Sequence, residues 1–387
     1  MKKIVLFGAG YFGREALKEY GIDKVDFFVD NDITKKDKIV DNLPVKIFSE
    51  NLELIKEYKV IICTGFYADI IQQLEENQIT EYTIFHQLIE RKSYYSPKIL
   101  IENPYEKDEN RGLSEDEWIE KNNGQLRKAS IKAKVEQYVK TNHVFHHVEI
   151  ETINRCNGTC EFCPVNCFID PREKKLMDEN LFKKIIDDLA QMNYSGRLSL
   201  FSNNEPFLDK RIMEFHRYAR KMLPNARMHL YTNGTLLKMQ DFLELVDILD
   251  ELIIDNYDQE LKLIETSEKI VEYAELHPEI KEKVTIVLRK PKEILTSRGG
   301  DAPNRNQKVA DGTITCVLPF QQLIIRPDGK VSLCCNDPLG KCTLGDTNNQ
   351  TLMEIWKGDE FKKVRETVLE GRGNYGHCKC CDVYVVD

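Results

Sequence analysis

The chain has 387 residues, too many for one ordinary hydrophobic core, so two or three domains are expected. Its 55 Lys and Arg stand against 64 Asp and Glu, a formal charge of −9, which argues against a nucleic-acid-binding surface and against a polybasic membrane patch. No apolar run approaches the roughly 18 residues that would span a bilayer, and the opening MKKIVLFGAG meets glycine too soon for a signal peptide, so a cytoplasmic location is expected, where the 12 cysteines serve as metal ligands or reactive thiols.

Residues 1–90 alternate β-branched runs (KKIVLF, KVDFFVD, YKVIICTG) with helical periods (YFGREALKEYG, ADIIQQLEEN), which predicts a small Rossmann-like α/β domain. Gly8, Gly10 and Gly13 form G-x-G-x-x-G between strand and helix, and Asp30 ends the next strand. Such glycines admit phosphates to a helix N-terminus, and an acidic residue there can accept ribose hydroxyls. Only half of a dinucleotide fold is present, so hydride transfer from NAD is not expected. A nucleotide or sugar nucleotide is the expected ligand, with an interaction module as the alternative. Residues 91–145 are polar and charged and read as a linker followed by a solvated helix.

Residues 146–305 resume the alternation at greater length: strand 147–153, helix 178–192, strand RLSLF, helix 209–222, strand RMHLYT, helix 239–247, strand ELIID, helix 258–277 and strand KVTIVL. Five strands in βα order imply a parallel sheet that winds or curls, with its chemistry at the strand C-termini. From 306 to 387 the pattern gives way to a tail holding seven of the cysteines.

The loop after the first of these strands reads NRCNGTCEFCP. Three thiolates, Cys156, Cys160 and Cys163, on a [4Fe–4S] cube would leave the fourth iron without a protein ligand; a zinc site completed by Cys167 is the alternative. The spacing C-x3-C-x2-C, with Phe162 before the last cysteine, resembles the signature of the radical S-adenosylmethionine (radical SAM) superfamily. The resemblance implies a partial (β/α)6 TIM-like barrel in which SAM chelates the open iron and is cleaved reductively to a 5′-deoxyadenosyl radical that abstracts a substrate hydrogen. SLFSNNEPFLD is similar to the family's Gly-Gly-Glu-Pro segment, with Glu205 and Pro206 kept and Asn203 and Asn204 in place of the glycines. By that likeness Glu205 accepts the SAM ammonium, as a carboxylate can. YTNG resembles the segment near the SAM ribose, giving Thr232 and Asn233 to its hydroxyls, a plain Asn-Gly turn being the alternative. Arg289 and Arg298 are candidates for the SAM carboxylate or an anionic substrate.

In the tail, Cys316 precedes a strand, an Asp-Gly turn and a second strand, so a hairpin returns Cys334 toward it. Gly329 precedes Cys334 by five positions, and Cys378 and Cys381 form C-x2-C. Four thiolates make a complete site that carries electrons or holds structure. The arrangement resembles the SPASM/twitch extension of radical SAM enzymes. The chain stops six residues after Cys381, so the one-cluster, twitch-like form with one auxiliary [4Fe–4S] cluster is expected. Cys335 for Cys334, Cys380 for Cys381, and zinc for iron stay open. Together the resemblances imply a radical SAM oxidoreductase or epimerase. The product is oxidised if the auxiliary cluster accepts an electron and epimerised if a thiol (Cys167, Cys335, Cys342 or Cys380) returns a hydrogen atom. The expected substrate is a small molecule, a sugar or nucleotide-linked sugar, and the expected reductant a flavodoxin or ferredoxin. A peptide substrate, or a non-catalytic iron–sulfur or zinc-binding protein, are the rival readings.

Overall fold

The computed structural model describes residues 3–64, 67–85, 100–106, 131–132, 134–139, 144–305 and 311–383. Strands β1 (Ile4–Phe7), β2 (Val25–Asp30), β3 (Ile39–Val40), β4 (Leu43–Ile47), β5 (Lys59–Ile62) and β6 (Tyr82–Ile84) form one sheet in the order β3-β4-β2-β1-β5-β6. All pairs are parallel except β3 with β4. The central strands are covered on both faces, which is why β1 and β5 read as unbroken apolar runs. Strand β4 was hidden in the sequence by Pro44 and Lys46, and β6 by its three-residue length. Helices Tyr11–Tyr20 and Tyr67–Glu76 complete this unit around its own apolar core.

The second sheet holds β7 (Ile101–Glu102), β8 (His147–Ile150), β9 (Arg197–Ser199), β10 (Arg227–Thr232), β11 (Glu251–Tyr257), β12 (Val284–Arg289), β13 (Gln322–Ile325), β14 (Lys330–Ser332) and β15 (Thr343–Asp346). Their order is β15-β14-β13-β8-β9-β10-β11-β12-β7, parallel from β13 to β7. The five strands expected from the alternation form the centre of this partial barrel. A sixth parallel strand, β13, comes from the cysteine-rich tail and pairs with β8, Ile325 opposite Ile150. Strands β14 and β15 then extend the sheet in antiparallel fashion, so the tail and the barrel share one sheet.

The connecting helices follow from local chemistry. Asp178 accepts the amides of Asn180 (2.8 Å) and Leu181 (3.2 Å) and so caps helix Glu179–Gln191, a contribution of about 1 kcal/mol. The helix buries Phe182 against Phe215 of helix Ile212–Met222, their ring centroids 4.1 Å apart. The helix expected from 258 starts instead at Glu265. Asp258 draws the amides of Glu260 and Lys262 onto its own carboxylate, and Leu261 takes φ 59°, so a turn displaces the first helical turns. Two corrections concern residues 91–145. Ile101–Glu102 forms the edge strand β7 rather than linker. The helical residues 131–132 and 134–139 are not solvated all round, since Ile131, Val135 and Tyr138 lie in the barrel core. The rest of that reading lies outside the described residues. No helix among the described residues is long and apolar enough to cross a membrane.

Candidate active site

Strand β8 ends at Ile150, and the Glu151 amide donates to Ile325 O (2.9 Å) of the tail strand β13. The Glu151 carboxylate stays inside, 3.6 Å from Arg172 and accepting the Asn203 amide (2.7 Å). The three-cysteine loop therefore leaves the barrel from a position tied to two other elements. Its neck is closed by Asn154, whose side chain donates to Glu173 O and accepts from Lys175 N, each at 2.7 Å. Inside the loop, buried Asn166 donates to Cys160 O (3.2 Å) and Cys163 O (3.0 Å) and accepts from Phe168 N (3.0 Å).

The donor set fits an iron–sulfur cluster. A Cβ on Gly158 would stand 3.2 Å from Cys156 Sγ and 3.9 Å from Cys160 Sγ, so glycine keeps open the space between these sulfurs. Burial pushes the Cys156 thiol up to about 12, with Glu205 and Cys163 pushing further. Burial also raises Cys160, and charge on Cys163 and Cys156 adds to it. Thiols so placed are held as thiolates only by bound cations, whose loading releases protons. Among the described residues no three His, Cys, Asp or Glu side chains stand close enough together to hold a single metal ion; a multi-iron cluster needs its thiolates farther apart. Cys167, which a zinc site would need, is exposed.

Beside these cysteines lies a cavity of about 310 Å³ whose lining includes Phe162, Glu205, Thr232, Asn233, Arg298 and Cys335. Glu205 is 1% exposed. Its Oε1 accepts Thr232 Oγ1 (2.8 Å) and Phe207 N (3.1 Å), and its Oε2 accepts Asn233 N (2.8 Å). A carboxylate has about four acceptor positions, so one on Oε2 remains for an ammonium. Burial raises its pKa, and these three hydrogen bonds pull it back. Thr232 and Asn233 thus first position Glu205, while Asn233 Nδ2 donates to Asn157 Oδ1 (2.8 Å) in the cysteine loop. Of the two arginines, Arg298 lines the cavity and donates to Asn203 Oδ1 (3.3 Å). Arg289 is turned to Asp255 (3.7 Å) and Glu293 (3.5 Å).

Sequence reasoning missed Glu149, which also lines the cavity. Burial pushes its carboxyl up to about 7, against the pull of a Ser202 hydrogen bond and the Arg197 and Arg298 charges. The signal was present in HVEI: His147 and Glu149 alternate with Val148 and Ile150, so a polar pair shares one strand face. Missed too were Asn166 and the role of Asn203, whose Nδ2 donates to Cys335 O (3.1 Å), joining the barrel to the tail.

In the tail, Gly329 takes φ 83° in the turn between β13 and β14, which returns the chain to Cys334. Burial raises the thiols of Cys316 (to about 11), Cys334, Cys378 and Cys381. Cys334 is pushed further by Cys335, Cys381, Cys316 and Cys378, and Cys378 by Cys316 and Cys381, so the structure brings these four together. Cys380 instead packs on Gly300. Of the spare thiols, Cys335 faces the cavity, Cys342 shares a hydrogen bond with Tyr375, and Cys167 lies outside.

In the N-terminal unit the glycine loop is tight. A Cβ on Gly13 would meet Gly8 O at 2.0 Å, so the third glycine is needed for helix and strand to touch. A cleft of about 200 Å³ is lined by Gly8, Gly10, Asp30 and Lys35 among others. Asp30 is already engaged: Oδ2 accepts Ala9 N (3.0 Å) and Lys35 Nζ (2.8 Å), and Oδ1 accepts Asp32 N (2.9 Å). One acceptor position on Oδ1 is left for a ribose hydroxyl.

Comparison with known proteins agrees with this geometry. Residues 150–262 match the radical SAM superfamily, and residues 316–382 match SPASM, an iron–sulfur cluster-binding domain. The chain is 28% identical over 241 residues, 62% of its length and 93% of the relative's, to the S-adenosyl-L-methionine-dependent 2-deoxy-scyllo-inosamine dehydrogenase of Niallia circulans. It is 30% identical over 112 residues, 29% of its length and 30% of the relative's, to the tungsten-containing aldehyde ferredoxin oxidoreductase cofactor-modifying protein of Pyrococcus furiosus. Among solved structures, that of BtrN in complex with AdoMet and 2-DOIA superposes with a TM-score of 0.54 at 25% identity, over 63% of this chain and 97% of BtrN. The two matched domains imply binding of SAM and of iron–sulfur clusters. This chain thus carries a radical SAM domain followed by a C-terminal SPASM domain.

Proposed function

We propose that this enzyme dehydrogenates a secondary alcohol on a sugar-like, polyhydroxylated substrate. Cys156, Cys160 and Cys163 would hold a [4Fe–4S] cluster with one iron open to SAM, and Cys316, Cys334, Cys378 and Cys381 one auxiliary [4Fe–4S] cluster. When bound, the first cluster and SAM supply a 5′-deoxyadenosyl radical that removes a hydrogen atom from the substrate carbon. The carrying observation is the single cavity that the loop cysteines share with Glu149, Asn203, Asp255 and Arg298, a polar lining suited to hydroxyl groups. Likeness to a SAM-dependent dehydrogenase over 93% of that protein's length supports oxidation.

Glu205 receives the SAM ammonium, with Thr232 and Asn233 holding its carboxylate in place. Arg298 takes a carboxylate or hydroxyl oxygen within the cavity. Converting the alcohol to a ketone also sheds one electron, to the auxiliary site, and the hydroxyl proton. Glu149, which exchanges protons near neutral pH, is placed to take that proton. A soluble one-electron donor such as flavodoxin or ferredoxin reduces the first cluster, in keeping with a cytoplasmic enzyme. The N-terminal cleft binds the nucleotide of a nucleotide-linked substrate.

One observation favours a second outcome, epimerisation: Cys335 faces the cavity, from which a thiol hydrogen atom can return to the carbon. Anaerobic turnover with SAM, dithionite and cyclic polyols or nucleotide sugars separates the two. Dehydrogenation gives a product two mass units lighter and no deuterium from D2O; epimerisation gives equal mass and one deuterium. Cys378→Ala is expected to leave uncoupled 5′-deoxyadenosine formation intact and to stop the ketone. Full ketone yield from that variant would remove the electron-acceptor role, and turnover of leader-like peptides alone would replace the sugar with a peptide.

A further inference from the structure

A buried cation lies beside the tail cysteines. Arg372 is 1% exposed and heads the fully buried side chains by size among the described residues. Its amide donates to Ile314 O (3.0 Å), two residues before Cys316, and its Nη1 donates to Val383 O (2.6 Å), two residues after Cys381. Its own carbonyl accepts Tyr375 N (3.1 Å), and Tyr375 O accepts Cys378 N (2.9 Å). The backbone and guanidinium of Arg372 thus tie together the segments that carry three of the four cysteines. Its positive charge pulls down the thiols of Cys316, Cys378 and Cys381 against the rise that burial causes.

The loop site is more mixed: the buried Glu205 acts on Cys156 and the partly exposed Asp255, paired to Arg289, on Cys160, while Arg172 acts on Cys163. Adding an electron to a buried cluster adds negative charge, so a fixed cation stabilises the reduced form and nearby anions disfavour it. Arginine stays charged at every working pH.

We infer that Arg372 is a positioning residue for electron transfer: its buried charge raises the reduction potential of the auxiliary site, biasing this enzyme toward oxidising its substrate radical. The inference rests on the four-cysteine assignment proposed above. The test uses the full chain with Cys156→Ala, Cys160→Ala and Cys163→Ala, which isolates the auxiliary cluster, and follows its reduction by EPR at set potentials alongside iron content. At the potential that half-reduces this parent, Arg372→Gln is expected to lower the reduced-to-oxidised ratio about tenfold, 59 mV for a one-electron couple, and Arg372→Lys to keep it within about threefold. A ratio within about twofold of the parent in an iron-replete Arg372→Gln protein would overturn the inference. If that variant loses its iron, Arg372→Lys decides: a tenfold fall despite the retained charge would overturn it equally. A parent that binds no iron at all instead refutes the four-cysteine assignment, a result read from iron content and not from potential.

Discussion

Asn166 offers the sharpest test of how the polypeptide holds the loop cysteines. Replacing it with alanine removes three hydrogen bonds at once: those to Cys160 O and Cys163 O, at 3.2 and 3.0 Å, and that from Phe168 N at 3.0 Å. A typical internal hydrogen bond contributes about 1 kcal/mol net, so the loop loses about 3 kcal/mol of its organisation. All three bonds lie within residues 160–168, so the loss falls mainly on the loop that must present its sulfurs together. At about 1.4 kcal/mol per factor of ten, chelators should strip the loop cluster about 100-fold faster. The tail cluster shares no partner with Asn166 and serves as an internal standard. Anaerobic bleaching in the presence of an iron chelator, followed as two phases, makes the measurement. Asn166→Asp keeps the acceptor for Phe168 N, loses both donors and should fall between. An Asn166→Ala protein whose faster phase matches the unsubstituted enzyme would show that the cysteine loop is organised without this side chain.

Two further outcomes follow. Cys160→Ala should abolish SAM cleavage while the absorbance of the tail cluster persists; simultaneous loss of both chromophores would refute two independently assembled sites. Burial raises Glu149 from its ordinary 4.5 to about 7. Below pH 4.5 it is protonated in both the folded and unfolded chain. Between 4.5 and 7 the unfolded chain ionises first, so stability falls as pH rises, by up to about 3 kcal/mol, and levels off above 7. Glu149→Gln should therefore gain stability on the apo parent between pH 5 and pH 8 in urea unfolding. The groups that act on Glu149, namely Ser202, Arg197, Glu151 and Arg298, are present in both proteins, so parallel curves would mean Glu149 is not buried as a carboxyl.

What could be read from the sequence was what depends on neighbours in the chain. The cysteine spacings, the helix from 178 and the strands β1, β5 and β8 to β12 all carry their signal within a dozen residues. Strand β13 does not: QLII looks like one arm of a hairpin, and it is one, yet its other edge pairs with β8 some 175 residues earlier. The roles of Asn203 and Arg372 depend on the same long-range closure. Glu149 was legible in principle, since one charged side chain on an otherwise apolar barrel strand must find either a partner or a ligand. The helix expected from Asp258 failed for a local reason, the competition of an Asp side chain for the amides that a first helical turn would use.

The pairing of β13 with β8 also explains how the cysteine loop and Cys335, so far apart in sequence, come to line one cavity. The loop cysteines follow β8, and the hairpin that begins with β13, its neighbour in the sheet, ends at Cys334 and Cys335. These consecutive residues serve different surroundings: the Cys334 thiol is buried with Cys316, Cys378 and Cys381, whereas Cys335 lines the cavity. One peptide unit thus separates a residue lining the cavity from one buried among the tail thiols. The next peptide unit is held at the Cys335 carbonyl by Asn203, whose Oδ1 in turn accepts from Arg298. A glycine at 203, as in the family's usual segment, has no amide to offer either partner. The departure from the family pattern is therefore one place where the barrel holds the tail, beside the sheet that they share.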